Sequence, residues 1–89
     1  MKAVITVLGK DSVGILALVS QECAKVRANV TDVTQSIMQD MFAMIMMVDL
    51  SGCTVPFNEF ADSLTRLGEK NGLKIHTMNE EIFNCMHKI

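Results

Sequence analysis

Tryptophan and tyrosine are absent from this chain, proline occurs once, and four phenylalanines supply all the aromatic surface. Charge is close to balanced, with 8 Lys+Arg against 10 Asp+Glu and a net charge of −2. A nucleic-acid partner is therefore not expected, since neither stacking platforms nor a basic field is present. Cysteine is sparse as well. Cys23, Cys53 and Cys85 are odd in number, widely spaced and free of any CxxC pair, which argues against a disulfide framework or a zinc ribbon. They read as small apolar side chains in a reducing compartment, which predicts a cytoplasmic protein. The longest apolar run, Met41 to Val48, falls far short of the ~20 residues that cross a bilayer. Ala3 to Leu8 is too short for a secretory leader, and no small-residue cleavage site follows it.

Apolar material is abundant. Hydrophobic residues make up 49% of the 89, eight of all residues being Met, and the mean hydropathy is +0.30. Area scaling at this mass gives about 5,200 Å² exposed when folded and about 14,000 Å² when open. That difference supports one core without staples, and the chain is read as a single domain.

The order of elements follows from periodicity. Lys2 to Leu8 is β-rich and apolar on both faces, as a central strand is. Ile15, Val19, Cys23 and Val26 then mark an amphipathic helix over about residues 13–27, with Asp11 and Ser12 as its capping side chains. Residues 30–38 form a second strand, with Val33, Gln35 and Ile37 on one face and Asp32, Thr34 and Ser36 on the other. Gln39-Asp40 makes the turn into MFAMIMMVDL, whose Met and Ala favour helix. That run reads as a third strand, because it is bracketed by Asp40 and Asp49 and supplies the hairpin partner. Phe57, Phe60, Ala61, Leu64, Leu67 and Gly68 trace a second helix, capped by Thr54, with Pro56 in its first turn and Asn71-Gly72 at its end. Leu73 to Met78 alternates as a fourth strand. Asn79 caps a final helix, whose apolar side is Ile82, Phe83, Cys85, Met86 and Ile89. This β-α-β-β-α-β order predicts an α+β class, a ferredoxin-like two-layer sandwich with a short C-terminal helix. Right-handed crossovers put both helices on one face of the sheet.

Chemistry concentrates at GKDSVG, between the first strand and the first helix. Gly9 permits an unusual turn, and Gly14 permits close approach of a ligand or a neighbouring backbone. Free amides of residues 12–15 at the helix start offer a seat for an anion, and Asp11 can receive an ammonium group. The purely structural reading of the same residues is a helix cap and a turn. Asn29, which suits a left-handed exit from the helix, opens the second strand near Asp32. A monomer does not need to bring it to the loop, whereas a dimer can.

Catalytic and metal constellations are weak. His76 and His87 have no Ser or acidic partner nearby in sequence. His76, Cys85 and His87 have no spacing that fixes a metal geometry. Copper carriers of this fold need a CxxC in the first loop. Acylphosphatases share the fold and the length, and form the alternative reading, a small hydrolase. They need an arginine in that loop, which here holds only Lys10, with Arg27 and Arg66 placed in helices. Met41, Met44, Met46 and Met47 divide between two strand faces and read as core or interface filling. No motif asks for a cofactor, and no metal or catalytic residue is assigned.

At VLGKDSVGILALVSQECAKVRANVTDVTQSI the chain resembles the ACT domain, a small regulatory module. It is closest in style to stand-alone bacterial ACT proteins. It is also similar to the N-terminal segment of formyltetrahydrofolate deformylase and to the ACT-type glycine cleavage repressor. Gly9, Asp11, Gly14, Ile15, Asn29, Val30 and Asp32 match the family pattern, while Ser12 replaces a basic residue and Val13 a proline. The resemblance covers about residues 2–78, giving an ACT-like regulatory domain at 1–79 and a C-terminal helical extension at 80–89. It implies regulation rather than catalysis, by a free-standing sensor or regulatory subunit that binds an amino acid or related metabolite. The implied ligand set is Gly9, Lys10, Asp11, Ser12, Val13, Gly14 and Ile15, completed by Asn29 and Asp32.

A homodimer is the last expectation. The third strand is apolar on both faces, so a face left open by the helices would expose a stripe flanked by Lys74 and His76. Met44 and Met46 are taken as its open-face members. The rival arrangement is a monomer whose Ile82, Phe83, Met86 and Ile89 close that face.

Overall fold

The computed structural model describes residues 1–10 and 13–87. Asp11, Ser12, Lys88 and Ile89 lie outside the described residues, as do the side chains of Phe83, Cys85, Met86 and His87. The elements are β1 (Lys2–Lys10), α1 (Ile15–Lys25), β2 (Asn29–Met38), β3 (Met41–Asp49), α2 (Phe57–Asn71), β4 (Lys74–Asn79) and α3 (Glu80–His87). The strands form one antiparallel sheet in the order β2-β3-β1-β4. Both apolar strands, β1 and β3, are therefore central. The predicted ferredoxin-like sandwich is the fold found.

The run MFAMIMMVD shows why helix propensity yields here. Met and Ala favour helix, but Gln39 and Asp40 turn the chain back and Gln39 adopts a positive φ of 58°. Pairing with β1 on one side and β2 on the other then satisfies the backbone of β3 along its length. Strand alternation divides its side chains. Phe42, Met44, Met46 and Val48 enter the core with Ala3, Ile5 and Val7, while α1 adds Ile15, Val19 and Cys23. From α2 come Phe60 and Leu64, spaced i, i+4, with Gly68 one turn further.

The open face carries Met41, Ala43, Ile45 and Met47. Met44 and Met46 thus lie opposite to where the open stripe was expected, at 1% and 0% exposure. The cause is the register: Met44 pairs with Val7 and Met46 with Ile5, both core residues of β1. Alternation alone cannot say which face the helices cover.

A bulge adjusts β2 against this frame. Val30 pairs with Val48, but Asp32, not Thr31, pairs with Met47. Without the extra residue, Asp32 would stand opposite Met46 and aim a carboxylate into the core. With it, Val33 takes that place and Asp32 stays exposed.

Several local expectations shift. Helix α1 begins at Ile15 because Gly14, its N-cap, holds a left-handed φ of 84°. It ends at Lys25, and Arg27 (φ 61°), not Asn29, makes the left-handed exit. Thr54 does not cap α2. Its amide donates to the Val26 carbonyl at 2.9 Å, and Pro56 is the N-cap residue. Gly72 closes α2 in the left-handed region as expected, and Asn79 caps α3 by accepting from the Glu81 amide at 2.8 Å.

Candidate functional site

Gly9 and Lys10 end β1, and Gly14 and Ile15 begin α1, so the sequence loop is a strand-to-helix corner. The Leu18 amide donates to the Gly14 carbonyl at 3.0 Å. The free amides of the helix start are thus those of residues 14–17, two positions later than the sequence suggests. Among the described residues no side chain caps this end, no acidic residue occupies the first turn, and Val13 is fully exposed. Asp11 and Ser12, central to the sequence reading, lie outside the described residues.

The two glycines exchange their expected roles. A Cβ on Gly9 would run into the Leu73 side chain, so this position needs smallness, and its φ is not positive. A Cβ on Gly14 would meet nothing within 4 Å, and here the left-handed backbone is what requires glycine.

Asn29 and Asp32 do not approach this corner in one chain. Asn29 pairs with Asp49, which pairs with Lys2 at the far end of β1, whereas Lys10 pairs with Met41. Eight residues of strand separate the two levels, about 26 Å at ~3.3 Å per residue. At the distant end, Asp49 accepts from the Ser51 amide at 2.9 Å and from its hydroxyl. These bonds hold its carboxyl below the ordinary value. Asp32 accepts from the Val33 amide at 2.9 Å.

Neither arginine reaches the corner. Arg27 lies beside Gly52 at the distant end, and Arg66 lines a groove on the outer surface of the helices with Glu22, Lys25 and Lys70. The loop arginine of an acylphosphatase-like site has no counterpart among the described residues. Nor do three His, Cys, Asp or Glu side chains gather there as metal ligands. Of His76, Cys85 and His87, His76 is exposed on β4, while the other two side chains lie outside the described residues.

Sequence reasoning missed what lies beside the corner. Leu8, Gly9, Lys10, Met41, Gly72 and Lys74 surround a cavity of about 400 Å³. Its members come from three strands and the α2–β4 turn, a grouping visible only through the pairing of Lys10 with Met41 and of Leu8 with Lys74.

The family model for the ACT domain matches residues 2–78. The chain belongs to the ACT domain family. ACT domains are generally small-molecule-binding regulatory modules. A UPF0237 protein of Listeria innocua is 51% identical over 89 residues, covering all of both chains. Among solved structures, an ACT domain protein from Streptococcus pneumoniae superposes with a TM-score of 0.82 at 34% identity, over 93% of each chain. A formyltetrahydrofolate deformylase from Pseudomonas syringae superposes with a TM-score of 0.77 over 88% of this chain and 27% of that one. At 18% identity, that likeness concerns the fold.

Proposed function

We propose that this ACT protein is a non-catalytic, free-standing cytoplasmic sensor, or a regulatory subunit, for an amino acid or related metabolite. Its ligand site is the corner of Gly9, Lys10, Asp11, Ser12, Val13, Gly14 and Ile15. Asn29 and Asp32 complete it from a second copy. The observation that carries this reading is the geometry of the corner, where Lys10 and the helix-start amides of residues 14–17 suit a carboxylate, while Asn29 and Asp32 stand about 26 Å and about 20 Å along the sheet in the same chain. One copy cannot assemble the whole motif, and two can. The relatives match over their full length without an attached enzyme, which favours action on a separate partner. Residues 80–89 are an extension of the 1–79 domain.

The dimer is proposed through the open sheet face. Helix α3 packs on β1 and β4, and Val4 is buried at that end. The other end stays bare: Leu8 is 47%, Met41 42%, Ile45 41% and Met38 63% exposed. The exposed area of 5857 Å² also exceeds the scaling value of about 5,200 Å². Burial against a second copy covers this stripe.

A thermal-shift screen against amino acids and folate-type metabolites tests the site. A stabilising compound whose effect Asp11→Ala removes supports it, and a binder indifferent to Asp11→Ala refutes it. Sustained turnover of acetyl phosphate by the purified chain would overturn the non-catalytic reading.

A further inference from the structure

The cavity beside the corner has a chemistry of its own. Its floor is apolar, from Leu8 on β1 and Met41 on β3, both more than two-fifths exposed. Gly9 and Gly72 contribute no side chain to it. Lys10 and Lys74 are its only charged lining residues among those described, and both are cations. They flank Leu8 through the strand register, since Lys74 pairs with Leu8 and Lys10 follows two residues later on the same face.

We infer that this cavity binds a small amphipathic anion, a carboxylate with an apolar tail, with the head between Lys10 and Lys74 and the tail on Leu8 and Met41. A solvated pair of lysines explains the charges but not the bare apolar floor between them. An apolar interface explains the floor but gains nothing from two cations beside it. An amphipathic anion uses both. The tail removes Leu8 and Met41 from water, and the head receives two charge-assisted contacts. The site shares Gly9 and Lys10 with the loop motif and adds Leu8, Met41, Gly72 and Lys74 to them. Lys74→Ala, outside the loop, and Asp11→Ala, within it, distinguish its failure from failure of the amino-acid reading.

Calorimetric titration of the full chain with sodium octanoate tests it, with butanoate and octylamine as comparison probes. Octanoate is expected to bind saturably, once per chain. Butanoate, with less tail to bury, should bind weaker by about tenfold or more. Lys10→Ala and Lys74→Ala should each weaken octanoate roughly tenfold. Lys25→Ala, on the outer surface of α1, should leave it unchanged. All three lysines are exposed, and circular dichroism verifies that each variant folds. Absence of saturable octanoate binding overturns the proposal. So does equal binding of octylamine, or octanoate binding indifferent to both cavity lysines.

Discussion

The two faces of β3 are built from nearly the same residues and meet opposite environments. Met44 and Met46 are sealed under α1 and α2, whereas Ile45 between them and Met41 three residues earlier are more than two-fifths exposed. Composition does not separate them. What separates them is that both crossover helices cover one side, leaving the other to a helix of eight residues, α3, that reaches only one end. An apolar residue on a strand reports that something covers it, and only the topology says whether that cover is part of the same chain.

Aspartate substitutions on the two faces provide the strongest test. Met46→Asp places an unpaired carboxylate in the core and should cost about 4 kcal/mol or more, enough to abolish cooperative unfolding. With no Trp or Tyr to report, the transition is followed by circular dichroism in urea. Ile45→Asp should change the stability of the single chain by less than about 1 kcal/mol. Equal costs at the two positions would erase the distinction between the faces.

Association gives the converse experiment. Sedimentation equilibrium at micromolar concentration should show a dimer for the native chain and a monomer for Ile45→Asp. A native mass of one chain across that range would leave the bare stripe without a second copy.

The glycines sharpen the comparison at the corner. Gly9→Ala forces its new methyl into Leu73 and should cost about 1–3 kcal/mol. Gly14→Ala meets only open space and should cost about 1 kcal/mol for its left-handed backbone. Urea midpoints of the two variants measure the order. Trimming Leu73 to Val in the Gly9→Ala background should recover part of the loss and do nothing for Gly14→Ala.

The smallest effect concerns a thiol beneath the covered face. Burial raises the Cys23 thiol from 9.0 to about 11, so the folded state holds its proton more tightly. The resulting stability is fully present below pH 9 and is lost as pH rises toward about 11. Iodoacetamide at pH 8 should modify the half-buried Cys53 well before Cys23, by about tenfold or more, as mass spectrometry of peptides would show.

Much of this was legible in the sequence. Element order, the hairpin at Gln39-Asp40, the Gly72 stop and the Asn79 cap each depend on a few adjacent residues, and local chemistry decided them. The faces of β2 were also readable, because Val33, Gln35 and Ile37 alternate with polar neighbours. Three features were not, and each depends on a partner distant in sequence. Which face of β3 is buried depends on its register with β1. The bulge at Thr31 exists because Asp32 would otherwise oppose Met46. Gly9 answers to Leu73, sixty-four positions away in the numbering of the chain, although the loop motif invites a purely local account. The candidate site divides the same way: its loop half was visible as a motif, and its Met41–Lys74 half only as pairing.

Leu8 and Met41 stand in two places at once, on the bare stripe offered to a second copy and on the floor of the cavity between Lys10 and Lys74. A surface cannot serve both occupants together. On those two proposals anion and second copy exclude one another, each lowering the other's apparent affinity by a factor set by its own concentration relative to its dissociation constant. Dilute chain with ample anion would stay single, and crowded chain with little anion would pair and close the cavity. A protein with both properties would compare two concentrations, its own and that of the amphipathic anion.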